Sequence, residues 1–195
     1  MRRGRICVFC GSSSGSRPEY RAAAERVADA LVARGAGLVF GGGNVGLMSV
    51  VADAMLARGG EVIGVIPDAL VAREIAHRGL TDLRIVNSMH ERKALMAELS
   101  DAFLALPGGF GTFEEFCEVV TWTQLGLHRK RAGLLNVLGF YDPLLAQFDR
   151  AVADGFLKPS GRSLVIADED PGRLVDRLAQ PPDAPEPKWI RPGQT

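Results

Sequence analysis

Three short apolar segments of this chain each lead into a glycine-rich turn that is followed by a sequence with helical periodicity. The segments and their turns are residues 6–16, 38–46 and 102–111. Short continuous apolar runs are typical of strands that are buried on both faces of a parallel sheet. A repeated strand–turn–helix unit therefore predicts an α/β fold, a Rossmann-like doubly wound parallel sheet in three layers.

The remaining segments extend this alternation along the chain. We predict strands at residues 6–10, 38–40, 61–66, 83–86, 102–106, 131–138 and 163–167. We predict helices at residues 18–34, 47–58, 89–99, 112–125, 141–154 and 171–178. Residues 1–180 are interpreted as a single nucleotide-binding domain, and the proline-rich residues 181–195 as an extended or disordered tail.

The glycine-rich turns are candidates for binding an anion. Loops that follow parallel strands lie together at the carboxyl edge of the sheet, where open α/β folds bind ligands. Free backbone N–H groups and the dipole at a helix N-terminus attract phosphate, and glycine lets it approach closely. Residues 107–111 match neither a Walker loop nor the dinucleotide fingerprint. Ordinary turns explain the pattern about equally well, with Thr112 as a helix cap and Glu114 and Glu115 in the first turn.

Two cations lie near the start of the helix predicted at residues 89–99. On a helical projection Arg92 and Lys93 share a face with Met89, Met96 and Leu99. The helix dipole disfavours cations near an N-terminus, so their position suggests a nearby anion. Extension of both side chains into solvent is the alternative, and the two explanations have similar weight.

The helix predicted at residues 112–125 has two apolar stripes. The stripe assigned to the core is Phe113, Phe116, Cys117 and Val120. The stripe on the other side is Glu115, Val119 and Trp122. A helix that is apolar on two sides is either deeply buried or covers a partner, so we interpret the second stripe as a subunit interface. Packing of Trp122 under a loop of its own chain is the alternative.

Composition narrows the possible functions. The formal net charge of zero gives no general reason to expect nucleic acid or an anionic membrane as a partner. No apolar stretch is long enough to span a bilayer, and the run behind the basic start is too short for a signal peptide, so we expect a cytoplasmic protein. Cys7 and Cys10 lie three apart within a predicted strand and should point to opposite faces, which argues against a metal or redox pair.

Two motifs together resemble a known family. Residues 107–115 (PGGFGTFEE), with MHERK at residues 89–93, resemble the Lonely Guy family of cytokinin riboside 5′-monophosphate phosphoribohydrolases, many of whose relatives are labelled lysine decarboxylases. Residues 41–48, 73–75 and 120–122 are also similar to that family. The resemblance extends from Ile6 to about Asp154.

The resemblance implies hydrolysis of the N-glycosidic bond in adenosine 5′-monophosphate or its N6-substituted forms, without a metal or cofactor. It implies that Arg92 and Glu115 are catalytic. It implies substrate binding by Glu74, Arg92, Lys93, Gly108, Gly109, Phe110, Gly111, Thr112, Phe113, Glu114 and Thr121. It also implies a homodimer, or a multiple of one, with each site near the subunit interface.

The residues suit this chemistry. A carboxylate such as Glu115 can stabilise an oxocarbenium-like transition state and activate water. Arg92 either neutralises the phosphate or orients Glu115, and the sequence identifies neither the proton donor to the base nor the preferred base. One alternative is a non-catalytic carrier of a nucleotide or of molybdenum cofactor on the same fold. Another is a pyridoxal-phosphate decarboxylase, but no lysine lies in a recognisable Schiff-base motif.

Overall fold

The computed structural model describes residues 4–71 and 76–180 of the 195-residue chain. The strands are β1 (Arg5–Phe9), β2 (Gly37–Phe40), β3 (Val62–Pro67), β4 (Asp82–Val86), β5 (Ala102–Ala105), β6 (Arg131–Leu135) and β7 (Val165–Asp168). The helices are α1 (Pro18–Ala33), α2 (Gly46–Ala57), α3 (Asp68–Val71), α4 (Met89–Leu99), α5 (Phe110–Leu125), α6 (Asp142–Ala153), α7 (Pro159–Arg162) and α8 (Pro171–Leu178). The tail expected at residues 181–195 lies outside the described residues.

The strands form one parallel sheet in the order β4-β3-β2-β1-β5-β6-β7. Ile6 of the central strand β1 is in register with Leu38 of β2 on one side and Ala102 of β5 on the other. The chain builds the sheet outward from β1 to β4, then returns to the middle at β5 and builds the other half. The predicted doubly wound fold is confirmed. The order reverses between β1 and β5, the point at which such folds bind ligands.

Two apolar clusters, one on each face of the sheet, form the core. One cluster contains buried residues of α1, α2 and α8, and the other contains buried residues of α4 and α5 together with Tyr141. Cys10 belongs to the first cluster and Cys7 to the second, so the prediction that these cysteines point to opposite faces is confirmed. Each large aliphatic side chain buried in this way contributes roughly 1.5–3 kcal/mol relative to an exposed one.

Helix α1 shows how the sequence builds the first layer. Pro18 occupies the first turn, where its missing N–H is not needed. Small residues recur at helical spacing and are fully buried, so that α1 can approach α2 closely: Ala23, Ala24, Val27 and Ala28. Gly35 follows the helix with φ +65°, a conformation that favours glycine and allows the chain to turn into β2.

Helix α5 begins two residues earlier than predicted. Its N-cap is Gly109, which offers no side-chain hydrogen bond, and Phe110 is the first helical residue. The prediction that Thr112 caps the helix is therefore wrong, as is the placement of Glu114 and Glu115 in the first turn, which contains no acidic residue. The helix ends at Leu125 and is followed by Gly126, which has the left-handed conformation with φ 84°.

The predicted core stripe of α5 is confirmed for Phe116, which is buried, and for Phe113 and Val120, which pack against the same cluster, but the predicted outer stripe is wrong at Val119. Val119, expected on the outside, is only 3% exposed and packs with Phe116 in the core, while Val120 is half-buried. Buried threonines at positions 112 and 123 continue the core face, which a purely apolar pattern could not reveal. The centroids of the Trp122 and His128 rings lie 6.3 Å apart in an edge-to-face contact. Trp122 therefore packs within its own chain, as the alternative interpretation expected.

Two smaller differences concern the second half of the chain. Strand β6 ends at Leu135 because the Asn136 side chain accepts a hydrogen bond from the Tyr141 N–H (2.7 Å) and a 3₁₀ turn follows at Val137–Gly139. The short helix α7 was not predicted.

Within the described ranges, no helix has the length and apolarity needed to cross a bilayer.

Candidate active site

The turns that follow β1, β2 and β5 meet at the switch point of the sheet. The Gly11 N–H donates to the Pro107 carbonyl (3.1 Å), which joins the first turn to the third. The Leu47 N–H donates to the Gly11 carbonyl (3.0 Å), which joins the second turn to the first. The predicted convergence of the three glycine-rich turns at one edge of the sheet is confirmed.

Two glycines allow these turns to approach so closely. Gly46 has φ +54°, and a Cβ there would overlap the backbone of Ser12 and Ser13. A Cβ on Gly108 would overlap the Thr112 side chain and lie 2.9 Å from the Gly11 nitrogen. Any larger residue at either position would push the turns apart.

The N-terminus of α5 offers its backbone donors to this edge. None of the described side chains caps it, and the first N–H groups of a helix have no partner within the helix. Gly109, Phe110 and Gly111 are exposed there, with Phe110 at 92%. Helix α4 differs, because its Ser88 hydroxyl accepts a hydrogen bond from the Glu91 N–H at 3.1 Å. The N-terminus of α5 can therefore bind an anion, and that of α4 is already occupied.

Arg92 points from α4 into the protein and not into solvent. It is 6% exposed, and its Nη2 donates to the Gly41 carbonyl at 3.0 Å. Gly41 leaves the space that the guanidinium fills, since a Cβ there would overlap it. No described residue accepts a hydrogen bond from the buried Nε. A buried cation with an unused donor, beside a glycine-rich turn, is suited to binding an anion.

Glu115 and Arg92 both lie close enough to the end of β1 to influence Cys10 electrostatically. Burial is the main reason that the pKa of the Cys10 thiol is raised, the negative charge of Glu115 raises it further, and the positive charge of Arg92 lowers it. The pKa of the Cys7 thiol is likewise raised by burial and by the charge of Glu115, and lowered by the charge of Arg92. Glu115 is half-buried. The cation of α4 and the carboxylate of α5 therefore both act electrostatically on the buried cysteines of the same central strand and its end.

The side chain of Lys93 extends from α4 to α5. Its Nζ is 2.5 Å from Glu114 Oε1 and 3.0 Å from Glu118 Oε1. Burial lowers the pKa of Lys93, but hydrogen bonds to both carboxylates outweigh it and raise the pKa above its ordinary value. Lys93 is thus held as a cation. Glu118, which the sequence analysis did not select, is a member of this cluster.

The other residues predicted for the site are placed differently. Thr112 is buried against Gly108, and Phe113 is half-buried. Thr121 lies about two and a half helical turns beyond Thr112, with its hydroxyl donating to the Cys117 carbonyl at 2.7 Å, so it does not join the turn. Glu74 lies outside the described residues.

Two residues that sequence reasoning missed support the turns. The buried Tyr141 hydroxyl donates to the Leu106 carbonyl (2.6 Å), just before the third turn. The His77 N–H donates to the Gly42 carbonyl (3.0 Å), and its Nε2 lies 2.8 Å from Asp53 Oδ1. No local pattern marks either contact, because each partner is distant in sequence. The Ser88–Glu91 capping pair was recognisable from its spacing.

The chain as a whole is similar to known sequences of one family. A family profile described as "Possible lysine decarboxylase" matches residues 48–178. A probable cytokinin riboside 5′-monophosphate phosphoribohydrolase of Oryza sativa subsp. japonica is 56% identical over 90% of this chain and 78% of its own length. A cytokinin riboside 5′-monophosphate phosphoribohydrolase of Arabidopsis thaliana is 50% identical over 90% of this chain and 81% of its own length.

Solved structures agree on the fold at lower sequence identity. The molybdenum cofactor binding protein from Rippkaea orientalis has a TM-score of 0.68 and 20% identity, covering 91% of this chain and 96% of its own. The molybdenum cofactor carrier protein from Chlamydomonas reinhardtii also has a TM-score of 0.68 and 20% identity, covering 91% and 98%. At this identity the likeness concerns the fold alone.

Proposed function

This chain belongs to the Lonely Guy family of cytokinin riboside 5′-monophosphate phosphoribohydrolases, and we propose that it hydrolyses the N-glycosidic bond of adenosine 5′-monophosphate or an N6-substituted form of it. The products are the free base and ribose 5-phosphate. The observation that carries this proposal is the buried guanidinium of Arg92 on the Gly41 carbonyl, at the edge where the glycine-rich turns meet and where α5, the helix of half-buried Glu115, begins.

The phosphate binds where the three glycine-rich turns meet. The backbone N–H groups at residues 110–112 donate to it, and the dipole of the 16-residue helix α5 favours its charge. Gly108 and Gly111 leave room for its oxygens, and the Thr112 hydroxyl is a further donor. Arg92 supplies a fixed positive charge, and its Nε, from which no residue in the described part of the chain accepts a hydrogen bond, can donate to the phosphate or to Glu115.

Glu115 carries the chemical step. The bond between C1′ and the base nitrogen breaks, and positive charge develops on the ribose, where a carboxylate stabilises it. Water attacks C1′ and passes a proton to Glu115, while the departing base takes up a proton from solvent. Glu115 then returns its proton to solvent, which restores the carboxylate. One water is consumed for each bond broken. No step of this reaction needs a metal, a redox cofactor or a Schiff base.

The similarity to the molybdenum cofactor proteins supports a carrier function less strongly than the similarity to the phosphoribohydrolases supports an enzyme. Identity to those proteins is 20%, whereas identity to the phosphoribohydrolases is 50–56% over most of the chain. The two functions also predict different behaviour. A carrier would bind its nucleotide-like ligand and release it unchanged.

Release of free base tests the proposal directly. The purified protein is incubated with AMP, with N6-prenylated AMP and with adenosine, and the base is quantified by chromatography. We expect base from at least one of the two monophosphates and almost none from adenosine, because the phosphate site contributes to transition-state binding. Failure with every monophosphate would refute the enzyme, and equal rates with adenosine would refute the phosphate site.

The same site points to a homodimer. Helices α5 and α6 carry half-buried apolar side chains that pack against the second core cluster and leave part of their surface exposed: Phe113, Val120, Leu144 and Phe148. A partner that covers this surface would lie beside Glu115. Sedimentation at micromolar concentration should give a dimer or a multiple of one. Val120→Glu should shift the equilibrium from dimer toward monomer. Ala94→Glu, at an exposed position of α4, should leave the equilibrium unchanged.

A further inference from the structure

We propose that Glu118 is a positioning residue for this reaction, which holds Lys93 so that α4 and α5 keep Arg92 and Glu115 at their working separation. The inference rests on the proposed function. Glu118 touches neither the reacting atoms nor the phosphate site in this proposal. It acts through the cation that it binds.

The bridge from Lys93 to α5 is more protected than a surface ion pair. The Lys93 side chain is 12% exposed and that of Glu118 is 26% exposed, while that of Glu114 is 55% exposed. Exposed ion pairs contribute little because solvent screens them and the side chains lose entropy. Partial burial reduces this screening. The contact between Lys93 and Glu118 is thus the better protected of the two.

The bridge is attached directly beside the proposed catalytic groups. Lys93 follows Arg92 in α4, and Glu114 precedes Glu115 in α5. Glu118 lies one turn further along α5, on the side that faces α4 through Lys93. Both helices are continuous here, so a sideways or rotational shift that lengthens the bridge also displaces Arg92 relative to Glu115.

Glu118 is the part of the bridge that persists when substrate binds. Glu114 is exposed and belongs to the proposed binding set, so substrate competes with Lys93 for it. Glu118 has one oxygen on Lys93, and no described residue donates to its other, buried oxygen. A buried carboxylate without partners is unfavourable, so Glu118 depends on the Lys93 cation as much as Lys93 depends on Glu118.

Glu118→Gln tests this role, because it keeps the size of the side chain and removes its charge. We expect kcat to fall about tenfold with KM for AMP within about twofold, since the site geometry changes and the phosphate contacts do not. Glu98→Gln, an exposed glutamate of α4, is the control and should leave both constants unchanged. A rise in KM without loss of kcat would overturn the proposal, as would an unchanged kcat.

A double variant shows whether Glu118 acts through Lys93. Lys93→Met should reduce kcat by itself, and adding Glu118→Gln to it should reduce kcat by less than twofold further. A full additional tenfold loss would overturn the proposal. If Glu118→Gln does not fold by circular dichroism, Glu118→Asp replaces it, with a similar loss expected because the shorter side chain loses the 3.0 Å contact. If the wild-type protein releases no base, the proposed function itself is refuted. If only the variants behave differently from these expectations, the role of Glu118 is refuted and the proposed function stands.

Discussion

The two faces of the sheet are covered by helices of different character. On one face the buried residues of α1, α2 and α8 are apolar side chains and Pro171. On the other face α4 and α5 bury Arg92, Thr112 and Thr123 beside their apolar residues. Burial of polar groups is unfavourable unless they find partners. The Thr123 hydroxyl donates to the Val119 carbonyl, but no described residue accepts a hydrogen bond from the buried Nε of Arg92. The difference agrees with our proposal that the second face carries the chemistry, while the first stabilises the fold.

Substitution in the first face should give the largest effect on stability. Leu31 of α1 is fully buried, and Leu31→Ala removes apolar contacts and leaves a cavity. We expect the free energy of unfolding to fall by about 2–5 kcal/mol, measured by urea denaturation, with unchanged turnover per folded molecule.

Leu127→Ala is the matched control, because Leu127 is 41% exposed. It should change the free energy of unfolding by less than about 0.5 kcal/mol. If Leu31→Ala lowered turnover of the folded protein, the assignment of separate roles to the two faces would be wrong.

Substitution in the second face should affect turnover instead. Glu115→Gln keeps the side-chain size and removes the proposed catalytic charge. We expect base release to slow by about a hundredfold or more, with little change in AMP binding or in the unfolding midpoint. Glu114→Gln, at the neighbouring position, should mainly weaken binding. Near-normal turnover in Glu115→Gln would remove Glu115 as the catalytic carboxylate.

The second face should also be the more sensitive to acid. Burial, with a contribution from the Lys130 charge, lowers the pKa of His128 from 6.5 to about 4. Unfolding frees this ring to bind a proton between those values, so the unfolded state holds more protons and stability falls as pH drops from 6.5 to about 4.

Replacement of His128 isolates this contribution. The ring Nδ1 accepts a hydrogen bond from the Lys130 N–H at 3.2 Å, and an asparagine oxygen can accept it instead. His128→Asn should therefore show a shallower loss of stability over this pH interval, measured by thermal unfolding. An identical slope in the two proteins would show that His128 does not titrate in this way.

The smallest effect is expected for a substitution at Gly111, which should change stability and AMP binding in opposite directions. Gly111 lies in the first turn of α5, and a Cβ there would meet no atom within 4 Å. Gly111→Ala should stabilise the protein by up to about 1 kcal/mol because alanine favours the helix. The KM for AMP should nevertheless rise severalfold, since the methyl group occupies space that the phosphate needs. An unchanged KM would place the phosphate elsewhere.

Local sequence patterns determined the architecture and the location of the site. Apolar runs, glycine-rich turns and helical periodicity each depend on residues close together in the chain, so they predicted the parallel sheet and the convergence of the three turns. Cys7 and Cys10 were placed correctly on opposite faces for the same reason, because alternation along a strand is a local property. Arg92 was recognised as unusual, since a cation beside an apolar stripe is a local anomaly.

Tertiary structure alone decided how α5 is rotated and what its charged residues contact. Val119 was assigned to the outside because apolar periodicity does not show that Thr112 and Thr123 are buried with it. The bridge from Lys93 to Glu118 joins residues 25 positions apart, and the contact of Arg92 with Gly41 joins residues 51 positions apart. Such contacts depend on how helices pack on the sheet, which is set by the summed packing of many side chains and not by any single segment.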